Sequence, residues 1–253
     1  MDKLLIFNLV SCALIALGLY LVTKFVKTDR AKNVLLLSVA VFTVLFHYSA
    51  FLFRLFGGGD AIAYLKENPN LILPIYPCNL VMWLALVFGF LKNKKSKFAE
   101  FVADYLFWFG IISTLVGMFA NVDFIRNPTF AEYENVKSVG AHATLLFNVL
   151  LLPFFGYIKT NVKRNLKNIA ISIVGMAVVG VYCNLLFSAL ASPEAAYDVN
   201  SMFLLHSPFE ALPFLTYPVI ALLALPLYLG LFALCAYVSR ALTRAKNART
   251  EKA

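Results

Sequence analysis

Leu73-Pro74-Ile75-Tyr76-Pro77-Cys78-Asn79-Leu80-Val81-Met82-Trp83-Leu84 opens a strongly apolar segment, yet it carries two prolines, a cysteine and an asparagine where lipid-facing residues are expected. Proline suits a helix start, because it lacks the N–H that is unsatisfied there anyway. The stretch therefore predicts a helix entry with Cys78 in its first turn. At that position the positive end of the helix dipole favours a thiolate. An imidazole nearby would complete a nucleophile–base pair.

Apolar segments of the same kind recur along the whole chain. Of its 253 residues, 61% are hydrophobic and 14% charged, against about 25% charged in a soluble domain. The reading is an all-α, polytopic membrane protein with seven transmembrane helices at about 4–26, 33–56, 71–91, 98–122, 138–158, 168–191 and 209–240. Each is long enough to cross at ~20 residues per span. Helices follow because backbone groups must be satisfied internally in lipid, and the strand alternation of a barrel is missing. Pro213, Pro218 and Pro226 should kink or break the last span. Residues 1–253 read as a single transmembrane domain whose end, 241–253, is a basic tail.

The net charge of +9 might point to nucleic acid, but its placement reads as topology. Lys24, Lys27, Arg30 and Lys32 follow the first span, Lys92, Lys94, Lys95 and Lys97 the third, and Lys159, Lys163, Arg164 and Lys167 the fifth. Arg240, Arg244, Lys246, Arg249 and Lys252 end the chain. The opposite loops hold most of the acids. Positive charge retained inside places the C-terminus in the cytoplasm and the N-terminus outside, with the bacterial plasma membrane as the location. Membrane lipids are the expected partners and no nucleic acid is expected. The four cysteines, at 12, 78, 183 and 235, have no paired or metal-like spacing, so no disulfide framework, metal or cofactor is expected. Leu9-Val10-Ser11-Cys12 resembles a lipoprotein cleavage box, but cleavage there leaves a remnant too short to span; the first helix reads as uncleaved.

Topology converts positions into depths at ~1.5 Å per residue. Cys78 and His142 both lie early in spans entering from outside, roughly 10 Å below the surface. His47 and Arg54 fall in the outer part of the second span, Asn184 in the outer half of the sixth, and Asn200 and His206 just before the seventh. Ionisable groups inside spans are costly and mark functional cavities. The plainer readings are a helix-to-helix hydrogen bond for His47, snorkelling for Arg54, a loop-lysine pair for Asp104, and interhelical glue for Asn148 and Asn184. Cys78 with His142 as its base, between the small residues Gly140, Ala141 and Ala143, is the strongest catalytic pair.

These residues carry a resemblance. Leu73-Pro74 and Cys78, Asp123 after the fourth span, His142, the segment Asn200-Ser201-Met202-Phe203-Leu204 with Pro208, and Tyr217-Pro218 resemble the YwaF-type family of bacterial integral membrane proteins. That family has a distant animal relative acting as a membrane phospholipid acyltransferase. The resemblance covers about residues 40–230 and implies seven helices, and for the relative a Cys nucleophile and a His. Tyr76 departs from the pattern, standing where relatives often carry an acid or a His.

The expected function is a lipid acyltransferase or acyl hydrolase with Cys78 as nucleophile and His142 as base. Substrate-binding roles are expected for His206, Asn200, Asn184, His47, Arg54, Asp123 and Tyr76. The alternatives are a transporter or binding protein with an outward-facing polar pocket, and a membrane protein without a site. A retinal protein is excluded because no lysine occurs between Phe209 and Val238, and a voltage sensor because no helix carries periodic arginines.

Overall fold

The structure is a computed structural model that describes residues 3–121, 124, 129–159, 161–207 and 212–217, with isolated positions from 219 to 233. Among the described residues all regular structure is helical. The elements are α1 (Lys3–Phe25), α2 (Asp29–Phe56), the short α3 (Ala61–Glu67), α4 (Pro77–Phe90), α5 (Lys97–Phe119), α6 (Tyr133–Phe154), α7 (Val162–Leu190) and the short α8 (Pro193–Val199). Single 3-10 turns cover Pro69–Leu71 and Ser201–Phe203. Five helices, α1, α2, α5, α6 and α7, are long and apolar enough to cross a membrane.

Their starts are chemically marked. Thr28, Ser96, Asn161 and Ser192 each accept a backbone N–H from the first turn of α2, α5, α7 and α8. Without such an acceptor the first N–H groups of a helix have no partner. The helix of the third predicted span is shorter than expected. Its first residues form the 3-10 turn and an irregular run, and α4 begins only at Pro77, with 14 residues. That is about 21 Å of helix at 1.5 Å per residue, against ~30 Å of hydrocarbon. Pro74 and Pro77 are the reason, since each removes a backbone donor and disfavours helix in the residue before it. The predicted seventh span, 209–240, lies largely outside the described residues.

α5 is the centre of the bundle. Residues 102–111 are buried without interruption, so at 3.6 residues per turn every face of this stretch meets protein. α6 packs along α5 and α2, α4 fits between α2 and α5, α1 lies on α6, and α7 on α5. Trp108, Phe88, Leu36, Leu151 and Met118 are sealed in the core. The neighbouring helices are also tied by polar side chains. Asn8 donates to the Met118 carbonyl at 2.7 Å, Asn148 to the Leu36 carbonyl at 3.0 Å, and Thr43 to Thr144 at 3.1 Å. In lipid, where apolar contact does not favour helix over solvent, such bonds and close packing hold helices together, at about 0.6–2 kcal/mol each. Asn148 is thus the interhelical glue that its sequence position allowed.

Ion pairs close both ends of the bundle. At one end Lys159 pairs with Glu100, and Tyr157 donates to Asn33. At the other Arg54 meets Glu134. Cys78 belongs to this second end. At the first end, Asp104 is buried and bonded by Asn168 Nδ2 at 2.7 Å, with Arg164 Nε 3.4 Å away. Its partner is therefore an arginine of α7, rather than a loop lysine. Asp104→Ala leaves Asn168 and Arg164 facing an empty site. Because Arg164 can still reach water, the expected loss is about 2 kcal/mol, below the range for a fully buried broken pair. Thermal unfolding in detergent measures it, with Asp104→Asn losing less.

Candidate functional site

The turn ahead of α4 is built to hold Cys78. Tyr76 is the N-cap residue, and its N–H donates to Asn79 Oδ1 at 3.2 Å. Pro77 and Cys78 follow as the first two helical residues. Cys78 shares a helix face with Met82, Ala85 and Gly89, all spaced for one side of α4, and those three are buried. The cysteine therefore looks into the bundle, yet it keeps some exposed surface where the residues one turn deeper, Val81 and Met82, are buried.

His142 enters the same interior from α6. Its Nδ1 lies 2.7 Å from the Ser138 carbonyl. A carbonyl only accepts, so this bond places the proton on Nδ1 and leaves Nε2 as the basic nitrogen. The ring is packed on Gly117 of α5. A Cβ there would lie 2.1 Å from His142 Cδ2 and 2.2 Å from Nε2. Gly110 fixes the register, because a Cβ on it would meet both Val81 of α4 and Val149 of α6. Counting back from that level, Cys78 lies about one helical turn, ~5.4 Å, deeper than His142.

His47 arrives from α2. Its neighbours set its depth: Phe46 presses on Gly140, and Thr43 bonds Thr144. His47 is close enough to His142, Lys137 and Glu134 for their charges to couple, and its ring interacts with the Asn70 main chain. Among the described residues its Nε2 is buried without a hydrogen-bond partner.

A strap crosses this site. Met202 N–H donates to the Ile75 carbonyl at 2.8 Å, and Phe203 stacks on Tyr76 with ring centroids 5.7 Å apart. Tyr76 thus anchors the strap, the part it plays in place of an ionisable group. Asn200, Met202 and Phe203 have φ of 47°, 53° and 57°, a left-handed conformation that costs a side-chain-bearing residue about 1–2 kcal/mol. The strain is held by surrounding bonds. Asn200 Oδ1 accepts the N–H of Leu205 and of His206, and its Nδ2 donates to the His206 carbonyl. Asn184 Oδ1 accepts the Ser201 N–H at 2.9 Å. Gly180 completes the seat, since a Cβ on it would fall 2.6 Å from Leu204 and 2.9 Å from Met202. His206 has both ring nitrogens on carbonyls, Ser207 at 3.0 Å and Tyr197 at 2.9 Å. Asn184, Asn200 and His206 therefore spend their polar atoms on the strap. Asn184→Ala leaves the buried Ser201 N–H without its acceptor, at an expected cost of about 1–3 kcal/mol. The readouts are a lower melting temperature and faster proteolysis between residues 200 and 207.

Arg54 sits at the rim. Its guanidinium lies 3.9 Å over the Tyr64 ring and 3.4 Å from Glu134. Tyr64 donates to Glu134 at 2.8 Å and accepts from Lys137 at 2.9 Å. Burial, with the Glu134 bond second, holds the Tyr64 phenol above its usual range. Beside this network opens a cavity of about 670 Å³ lined by Phe53, Arg54, Glu132, Tyr133 and Glu134. Asp123 lies outside the described residues. The structure sets His47 and His142 within electrostatic reach of each other, packs a half-buried Cys78 against the hydrophobic core, and places Arg54 beside Glu134 at the cavity. Sequence reading missed Gly117, Gly180, Tyr64 and Lys137. The glycines matter through what a side chain would strike, and the other two through partners far along the chain.

One comparison with known proteins returns a match. A family model described as the TMEM164 family covers residues 2–236. No curated protein matches the chain, and no solved structure does.

Proposed function

The chain belongs to the TMEM164 family, and from that premise we propose that this multi-pass membrane protein is an acyl-transfer enzyme acting on lipid esters, with Cys78 as nucleophile and His142 as its base. The observation that carries this reading is the placing of His142, whose tautomer is set by Ser138 and whose ring is seated on Gly117, in a bundle that also holds a half-buried Cys78 in the first turn of α4. A cysteine in a first turn is also where peptide dipoles favour negative charge on sulfur.

In the first half-reaction His142 Nε2 takes the Cys78 proton and the sulfur attacks the ester carbonyl carbon. A C–S bond forms. As the C–O bond breaks, His142 returns the proton to the leaving alkoxide, which departs as an alcohol. The acyl group, now a thioester on Cys78, passes to a hydroxyl acceptor or to water. The strap over Tyr76 positions the entrance, and the Cys78 end of the bundle is the outer one in this reading. That depth suits an ester near the headgroup boundary, in keeping with the resemblance to YwaF-type proteins and their acyltransferase relative.

The test is to incubate the purified chain with phospholipid vesicles, quench in acid and search by mass spectrometry for an acyl group on Cys78. A thioester that hydroxylamine removes supports the proposal, and its absence under conditions where lipids turn over refutes it. The second reading, a binding or transport protein, is favoured by the open cavity at Arg54. It requires that uptake be lost in His142→Ala and kept in Cys78→Ala.

A further inference from the structure

The mechanism above uses one histidine, and the structure holds a second at the same place without a task. His47 lies on the buried face of α2, in line with Thr43, Ala40 and Ala50, all three sealed. The contacts Thr43–Thr144 and Phe46–Gly140 put it less than one turn from the level of His142. Cys78 looks into the bundle from α4, which packs between α2 and α5. α2, which carries His47, therefore lies on one flank of α4, and α5, on which His142 is seated, on the other. The His47 ring is steadied by an edge contact to Tyr48, centroids 5.3 Å apart, which in turn meets Trp83.

The informative atom is Nε2. Among the described residues it is buried without a hydrogen-bond partner, whereas buried polar atoms nearly always have one. Glu134, which could have paired with it, is already bonded by Tyr64, Lys137 and Arg54. A neutral imidazole nitrogen either donates or accepts depending on the tautomer, and a hydroxyl group satisfies both states.

We propose that His47 is the acceptor-side base, and that the acyl acceptor is a hydroxyl-bearing molecule whose O–H binds His47 Nε2. This rests on the Cys78–His142 reading and extends it to the second half-reaction. The acceptor oxygen attacks the thioester carbonyl as its proton passes to His47. A new C–O bond forms and the C–S bond breaks. The proton then reaches the departing Cys78 thiolate by way of His142. The products are an ester and the free thiol, with no oxidant or further reactant. Two bases flanking one nucleophile separate donor from acceptor, a division that favours transfer over hydrolysis.

The experiment uses the full chain in detergent with p-nitrophenyl octanoate as acyl donor and 1-octanol as acceptor. Nitrophenol release and the acyl-Cys78 mass report the first half-reaction, and octyl octanoate reports the second. His47→Asn keeps a side-chain donor close to the backbone while removing Nε2, and His47→Gln is the second variant should the first not fold. The expected result is that octyl ester formation falls about a hundredfold, within the range of a lost general base. Acylation falls less than tenfold, so the thioester accumulates. His142→Asn slows acylation itself. If both His47 variants transfer to octanol within threefold of wild type, or lose acylation as much as transfer, the proposal is overturned while the Cys78 reading stands. If wild type forms no Cys78 thioester, both are overturned.

Discussion

Cys78→Ala is expected to abolish acyl transfer while leaving the protein folded. Loss of a catalytic nucleophile costs about 10⁴–10⁶ in rate where the remaining groups act only through it, so residual turnover should fall below detection. The side chain is small and half-buried, and its neighbours Met82 and Ala85 pack without it. Removing one sulfur therefore costs about 1 kcal/mol or less in stability. Melting temperature in detergent and lipid turnover in vesicles separate the two effects. A Cys78→Ala protein that keeps a tenth of wild-type turnover would sink the nucleophile assignment. Cys78→Ser should recover little, because an alcohol is a far weaker nucleophile than a thiol near neutral pH.

The second large effect is expected from a residue that makes no chemical contact with substrate. Gly117→Ala would place a methyl 2.1 Å from the His142 ring. Both α5 and α6 are held by the core, with Trp108, Val149 and Leu151 fully enclosed, so the backbone has little room to retreat. The imidazole must turn away, and the bond to Ser138 goes with it. Overpacking of this kind costs about 1–3 kcal/mol, and loss of the oriented base about 10²–10⁴ in acylation rate. Gly175→Ala is the contrast, since a Cβ there meets nothing within 4 Å. It sits inside α7, where alanine is favoured over glycine by about 1 kcal/mol, so this variant should melt higher with activity unchanged. Equal, small effects from the two substitutions would mean that Gly117 does not seat the histidine.

Much of the architecture was legible because lipid imposes simple rules. Apolar runs must become helices, and short polar loops must stay at the ends. The first predicted span lies within one residue of α1 at each end, and the second and sixth differ from α2 and α7 mainly at their starts, where Thr28 and Asn161 begin the helix earlier than hydropathy does. The fifth span starts at Tyr133 rather than residue 138, because Glu134 and Lys137 are bonded within the bundle to Tyr64. Hydropathy counts such residues as loop, since it cannot see their partners 70 positions away. The third span erred in the opposite direction. The span is drawn from residue 71, whereas the helix begins only at Pro77, with Cys78 in its first turn as the prolines indicate.

The site divides along the same line. Spacing alone placed Cys78, His142 and His47 in the same depth range, because each helical residue advances ~1.5 Å along an axis that the membrane aligns. Depth says nothing of rotation about that axis. Only packing turned Cys78 and His47 inward and seated His142 on Gly117. Only packing showed that Asn184, Asn200 and His206, expected at the substrate, bond to a strained strap. The sequence by itself determined that this is a multi-pass helical membrane protein whose cations gather at one end. The tertiary structure decided which polar atoms meet and which, like His47 Nε2, are left for something else. Hydrophobic length is a property of one segment, but a partner is a property of two.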